Sequence, residues 1–298
     1  MNKVFIAGGV SIDSIIYLPE FPEPIPQTIH ECRFNETIGS TGSGKALNLC
    51  RLGFDVNLHA MIGNDDFGRK AIEMLNHPDI RFIQDLSVTG TERHTNLMNA
   101  AGERISIFTQ NIPENPEIDY QQFILLIADA DIVVVNLSGY TKKILPMVKE
   151  QGKPVWTDLH DYDGRNPWHN DFVKYSDFIL LSSDNMPDYR PFMMRMMNEG
   201  KELVVVTHGK KGSTGLSRDG KWIEVEAVPG VELVDSNGAG DAYFSGFLYG
   251  YSKGYNLKKC MQTGSIAGAM CVSSSHLFHP DVSPETLESL LRKHFGND

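Results

Sequence analysis

Apolar residues along this chain fall into short runs separated by stretches with helical spacing. The runs Ile132–Val135, Val155–Thr157, Phe178–Leu181 and Leu203–Thr207 are apolar and largely β-branched, as in strands buried on both faces of a parallel sheet. Helix and strand therefore alternate from Tyr120 onward, which predicts a doubly wound α/β body. Val4–Ala7, ending in Gly8-Gly9, predicts the first strand, and Phe54–Ile62 predicts another. Ser213–Leu216 and Trp222–Val225, turned at Asp219-Gly220, predict an antiparallel hairpin at the sheet edge. After Asp241 the pattern is helical: near Tyr243–Tyr251, over Leu257–Ser273 and over Pro284–Phe295, with Ser283 as the cap of the last helix.

Two stretches depart from this rhythm. Pro19, Pro22, Pro24 and Pro26 exclude a helix or a central strand, while their flanks Ser14–Leu18 and Thr28–Ile38 keep strand character. With Thr95–Met98 and Arg104–Phe108 they predict a small strand-built lid, from residues 14–38 and 94–109, projecting from the main body. The second stretch, Gly39-Ser40-Thr41-Gly42-Ser43-Gly44, predicts a flexible loop feeding a short helix that Gly53 caps. Gly63-Asn64-Asp65-Asp66-Phe67-Gly68 predicts a loop that caps a helix running to Asn76. No repeat, low-complexity tract or linker interrupts the chain, so one α/β domain over residues 1–298 is expected.

Composition narrows the partners more than the fold. A formal charge of −11 argues against nucleic acid or an anionic membrane, while 41% hydrophobic and 22% charged residues suit a soluble globular protein. The most apolar internal run, Phe123–Leu137, is broken by Asp129 and Asp131, and Met1–Ala7 reads as a strand instead of a signal peptide. Cys32, Cys50, Cys260 and Cys271 form no CxxC pair and are expected as reduced thiols, so the expected location is cytoplasmic.

The stretch Asp235-Ser236-Asn237-Gly238-Ala239-Gly240-Asp241 carries the chemistry. Small residues let backbone N–H groups converge, and a helix starting there adds free N–H groups and the positive end of its dipole. That makes an anion pocket with a carboxylate on its rim. A carboxylate so placed repels the anion, and its use is chemical: Asp241 takes a proton from a hydroxyl that attacks a bound phosphoryl group. A competing motif, Gly39–Lys45, fits the phosphate loop up to its final position, where Ala46 stands in place of the Mg²⁺-binding hydroxyl, and no apolar strand precedes it. Met186, Met193, Met194, Met196 and Met197 suit a core helix, and His94, His160, His169, His276 and His279 lack the spacing of a zinc site. Trp156 with Asp158 ends a strand within possible reach of the pocket, with core packing the default for Trp156.

Asp235–Phe247 resembles the C-terminal signature of the ribokinase-like (PfkB) carbohydrate kinases. Val4–Asp13 resembles that family's opening strand and substrate aspartate, Gly63–Gly68 is similar to its iGxDxfG loop, and Val205–Ser213 is similar to its nucleotide stretch. The resemblance covers nearly the whole chain and implies a ribokinase-like fold, a central mostly parallel sheet flanked by helices with a small β-strand lid. It implies an ATP- and Mg²⁺-dependent transfer of the γ-phosphoryl group to a hydroxyl of a sugar or sugar-like molecule. Asp241 would be the general base, and the amides of Gly238, Ala239 and Gly240 the anion hole. Asp13, Gly42, Ser43, Gly44 and Asn48 would bind substrate. Thr207, Gly209 and Gly212 would lie along ATP, with Gly264–Ser274 beside the adenine. Asp235 and Asn237 stand where some members bind a monovalent cation such as K⁺. Some members also form homodimers through the lid strands. Three departures stand out: Ser182-Ser183-Asp184-Asn185 replaces an Asn-x-x-Glu motif and leaves Asp184 as the metal candidate, Asn237 replaces a Thr, and Asn48 sits about one helical turn closer to Arg51. A nucleoside kinase, or a ligand-binding member without catalysis, is the alternative.

Overall fold

The computed structural model describes residues 2–296. Strands, numbered in chain order, are β1 (Lys3–Ala7), β2 (Ser11–Tyr17), β3 (Arg33–Gly39), β4 (Asp55–Ile62), β5 (Ile80–Leu86), β6 (Glu92–Met98) and β7 (Arg104–Gln110). They continue with β8 (Ile132–Val135), β9 (Val155–Asp158), β10 (Phe178–Ser182), β11 (Leu203–Thr207), β12 (Ser213–Ser217) and β13 (Trp222–Val225). Nine of them form one sheet in the order β13-β12-β11-β10-β9-β8-β1-β4-β5. All pairs from β11 to β5 are parallel, and the β12–β13 hairpin closes one edge antiparallel. The other four form a separate small sheet in the order β3-β2-β6-β7.

Alternation along the central strands explains the layers. Val4 and Ile6 of β1 face one apolar core, and Phe5 and Ala7 face the other. The first core is closed by α1 (Thr41–Arg51), and the β4 helix α2 (Asp66–Met74) follows it; α3 (Gln122–Asp129), α4 (Ile144–Glu150), α5 (Asn170–Tyr175) and α6 (Arg190–Asn198) bear on the second. The last three helices, α7 (Ala239–Ser252), α8 (Leu257–Val272) and α9 (Pro284–Phe295), return to the first core. Each fully buried large apolar side chain in these layers contributes about 1.5–3 kcal/mol. Trp156 is one of them, stacked on Phe178 with ring centroids 3.9 Å apart.

Several expectations are corrected here. Gly42 and Gly44 do not lie in a flexible loop; they occupy the first turns of α1, which is buried from Thr41 to Cys50. Strand β2 begins at Ser11, β3 only at Arg33, and β5 is a strand that the pattern did not predict. The helix at Asp66–Met74 carries the expected cap, with Asp65 accepting from the Gly68 N–H at 2.8 Å. No helix among the described residues is long and apolar enough to cross a membrane.

β1 is the point where strand order reverses, with β4 on one side and β8 on the other. Crevices at such points, beyond the C-terminal ends of the strands, are where open α/β sheets bind ligands. The ends of β1, β8, β9 and β11 all open there, and the small sheet springs from the exit of β1.

Candidate active site

Asp241 lies in the first turn of α7, whose N-cap Gly238 has a left-handed backbone (φ +80°). That turn leaves the Gly238 and Gly240 N–H groups without a partner among the described residues, and the Ala239 N–H makes only a 3.3 Å bond to Ser236. Free donors and the helix dipole together favour an anion at this point.

The two oxygens of Asp241 have different surroundings. Oδ1 accepts from Thr41 Oγ1 at 2.8 Å and from Lys45 Nζ at 2.6 Å. Oδ2 has no hydrogen-bond partner among the described residues and lies over Gly44, where a Cβ would sit 2.5 Å from it. Asp13 is seated the same way over Gly39, so the stretch from Gly39 to Gly44 carries a carboxylate on each end. Here glycine is required for close approach, not for flexibility.

Lys45 is completely buried and reaches a second carboxylate, Asp158 at the end of β9, at 3.2 Å. Its remaining bond is to the Thr41 hydroxyl, one helical turn back. Burial works against the Lys45 charge, but Asp241 and Asp158 outweigh it and hold its pKa above the ordinary lysine value. Asp158 is likewise buried; His160 and Lys45 offset that burial and hold it below the usual carboxylate range. Removing one partner from such a buried set typically costs about 3–5 kcal/mol. The two non-glycine residues with positive φ among the described residues, Ser40 (+68°) and His160 (+53°), flank this cluster. Residues held in sparsely populated backbone regions persist only where their surroundings fix them, and they gather at functional sites.

At the other end, Asp13 Oδ1 accepts from Ser11 at 2.6 Å and Oδ2 from Asn96 at 3.0 Å. His94 sits between two carboxylates, with Nδ1 at 3.1 Å from Asp13 and Nε2 at 3.2 Å from Glu92. Burial alone would lower its pKa, yet Asp13 and Glu92 raise it to about 9, so the ring is cationic at neutral pH. The His94 Nε2 is nevertheless without a well-directed bond, as are Asn96 Oδ1 and, beside Thr41, Asn136 Nδ2. Buried polar atoms normally find partners, so Asn96 Oδ1 and Asn136 Nδ2, which have none among the described residues, stand out.

Other expected site residues lie elsewhere or do other work. Ser43 donates to the Gly39 and Ser40 carbonyls, and Asn48 donates to Gly44 and to Leu277 at 2.9 Å; neither is brought to Asp13. Gly42 packs against the Gly9 carbonyl. Thr207, Gly209 and Gly212 line the exit of β11, with Thr207 Oγ1 weakly bonded to the Leu181 carbonyl at 3.4 Å. Asp184 is exposed beyond β10. Asp235 accepts from the Asn237 N–H at 2.8 Å and from the Tyr17 hydroxyl, while the Asn237 amide oxygen accepts from Arg104 at 2.9 Å. Lys45, Thr41, His94, Asn96 and Asn136 were not foreseen as site residues. The available signal was Thr41 and Lys45 at i and i+4, with only Gly42, Ser43 and Gly44 between them.

Residues 180–281 match the pfkB family carbohydrate kinase. The chain is 31% identical over 273 residues to the acarbose 7(IV)-phosphotransferase of an Actinoplanes species, covering 90% of this chain and 91% of that protein. Its structure superposes on a microbiome-derived acarbose kinase with a TM-score of 0.86 at 26% identity, covering 97% of this chain and 98% of that one. An Arabidopsis thaliana ribokinase complexed with ribose and ATP gives a TM-score of 0.80 at 19% identity, covering 98% and 99%. The fold is ribokinase-like, and with this extent of shared sequence the chain belongs to the PfkB family of carbohydrate kinases.

Proposed function

We propose that this kinase transfers the γ-phosphoryl group of ATP to a hydroxyl of a sugar or sugar-like molecule, with Asp241 as general base. The observation that carries this reading is the unpartnered Oδ2 of Asp241 beside the free N–H groups that open α7. The acceptor hydroxyl gives its proton to Oδ2 as its oxygen bonds to the γ-phosphorus. The bond to the bridging oxygen breaks, and its electron pair leaves with ADP. Gly238, Ala239 and Gly240 would steady the charge on the transferring group.

Asp13, Asn96, His94 and Asn136 would hold the sugar hydroxyls, and the exit of β11 at Thr207–Gly212 would hold the nucleotide. The small sheet would serve as the lid that keeps water from ATP, because Tyr17, Gly102 and Arg104 on it bond to Asp235, Ser236 and Asn237 next to the anion pocket. Those same contacts bear on cations. Among the described residues no three His, Cys, Asp or Glu side chains gather to hold a metal. Mg²⁺ would therefore arrive on the ATP phosphates, with exposed Asp184 the side chain available to it through water. At Asn237 the Arg104 guanidinium would compete with K⁺ for the amide oxygen, whereas Asp235, accepting from Tyr17 and the Asn237 N–H, keeps lone pairs that would serve such a cation. A second copy would pair through β7, an edge strand exposing Ile105, Ile107 and Phe108; Ile107→Lys would then shift sedimentation from dimer to monomer.

Acarbose, which names the 31%-identical relative, is the first acceptor to assay, followed by a thermal-shift screen of sugars and nucleosides with a non-hydrolysable ATP analogue. Asp241→Asn should lower kcat by about 1,000-fold while ATP-analogue binding stays within about threefold. Unchanged turnover would sink the mechanism, and a screen in which only nucleosides shift the melting temperature would replace the sugar by a nucleoside.

A further inference from the structure

The transfer described above gives Lys45 no task, yet its ammonium is wholly removed from water at the reacting carboxylate. All three of its hydrogens have takers: Asp241 Oδ1, Asp158 Oδ2 and Thr41 Oγ1. Thr41 in turn passes its own hydrogen to Asp241 Oδ1 at 2.8 Å. Three elements far apart in sequence, α1, β9 and α7, thus converge on one ammonium.

We propose that Lys45 is the positioning residue of the phosphoryl-transfer site: braced by Asp158 and Thr41, it captures Oδ1 of Asp241 and leaves Oδ2 as the oxygen that receives the substrate proton. The inference rests on Asp241 being the base. It follows from the asymmetry of that carboxylate. A free aspartate offers two equivalent oxygens and rotates between them, whereas here one oxygen is fixed by two donors and the other faces the cleft over Gly44. Fixing the acceptor oxygen before the hydroxyl arrives removes an orientational cost from the transfer step. The ammonium also lessens the repulsion between Asp241 and an anion held at the start of α7, so the base and the phosphoryl group can share one pocket. Asp158 has no such pocket to serve. Its place is behind Lys45, where His160 N–H also bonds it at 2.9 Å and keeps it aimed.

A merely structural staple would leave chemistry intact once stability is restored, and the test separates the two. Lys45→Met strands two buried carboxylates, so the informative variant is Lys45→Met/Asp158→Asn, which removes the charge left without its partner. Full-length protein is assayed with ATP and acarbose, or with the sugar giving the largest thermal shift if acarbose is not turned over. The expected result is a melting temperature near wild type, kcat lower by about 100-fold, and KM for ATP and sugar within about threefold. Lys45→Ala should regain about tenfold of its lost rate on addition of methylammonium, which enters the space of the missing ammonium. A folded double variant with kcat within about threefold of wild type, or a folded Lys45→Ala variant that is slow and unmoved by amines, overturns the proposal. Asp241→Asn is run in parallel. If it keeps turnover, the base assignment has failed; if it is inactive while the Lys45 variants stay fast, only the role of Lys45 has failed.

Discussion

The two carboxylates seated over glycines, Asp241 over Gly44 and Asp13 over Gly39, sit in clusters built on opposite plans. Around Asp241, Lys45 has spent every hydrogen, Thr41 both gives and receives, and a single carboxylate oxygen is left open, with Asn136 Nδ2 beside Thr41 the unmet donor. Around Asp13 the carboxylate is satisfied by Ser11 and Asn96, and it is the neighbours that lack partners. Under the proposed function, the first plan would fix the single atom that takes the proton, as a chemical step demands. The other leaves Asn96 Oδ1 without a partner and His94 Nε2 without a well-directed one, and under the proposed function a polyhydroxylated ligand would meet them. Buried polar groups are expensive in both cases, and under the proposed function the ligand would offset that cost at the Asp13 end.

The comparison breaks most sharply at the two glycines. Gly44→Ala puts a methyl group where Asp241 Oδ2 stands, and kcat should fall by about 100-fold with KM for the sugar little changed. Gly39→Ala puts the same methyl group against Asp13, and the dominant change should be in KM for the sugar. Steady-state kinetics of the pair decide the matter; matching losses in kcat would show that the two ends do not divide the work.

Next in size is Asn96→Ala. It deletes a donor to Asp13 and the acceptor Oδ1 that has no protein partner, so KM for the sugar should rise roughly tenfold with kcat nearly constant. An unchanged KM would mean that the orphaned atom does not face the substrate.

How much of this was legible beforehand follows the same division. Strands such as Ile132–Val135 and Leu203–Thr207 announce themselves, because burial on both faces leaves a run with no polar residue before its last position. β5 does not, because at the sheet edge Arg81, Gln84 and Asp85 interleave with its apolar residues. The glycines of α1 point to a loop by propensity, and packing against α7 overrides that preference. The Asp241 stretch is legible because its chemistry is local: small residues, a helix start and a carboxylate in seven positions. Lys45 is not, because its partners Asp158 and Asp241 are 113 and 196 residues away, and because the Gly39–Lys45 stretch resembles a phosphate loop. His94 escapes for the same reason, since only the register of β2 against β6 sets it beside Asp13.

His94 tests the recognition end by pH. Its pKa of about 9 lies above the ordinary histidine value, so the folded state binds this proton more tightly than the unfolded state does. That contribution to stability is complete below the unfolded pKa of about 6.5 and is lost as pH rises through about 9. The melting temperature should therefore decline between pH 7 and 9.5, and His94→Gln should flatten the decline. An equal slope in the variant would remove His94 from the account.

The smallest effect belongs to the contacts joining the small sheet to the anion loop. Tyr17 donates to Asp235, and burial with that carboxylate raises its pKa, so the hydroxyl keeps its proton at any working pH. Tyr17→Phe deletes the donor and leaves Asp235 with the Asn237 N–H, and Arg104→Ala frees the Asn237 amide oxygen to water. Neither residue bonds to Asp241 or Asp13, so neither change reaches the proton transfer directly. With the small sheet acting as the proposed lid, each would loosen its closed arrangement by one hydrogen bond, about 0.5–1.5 kcal/mol. A ligand that binds the closed form then loses affinity in proportion, so KM for the sugar should rise by about threefold to tenfold in each variant while kcat falls less. The double variant adds a further question. If Tyr17 and Arg104 hold one rigid closure, their effects should be less than additive, because the first break already releases the sheet. Additive effects in a double-mutant cycle would mean two independent contacts and no common closing motion.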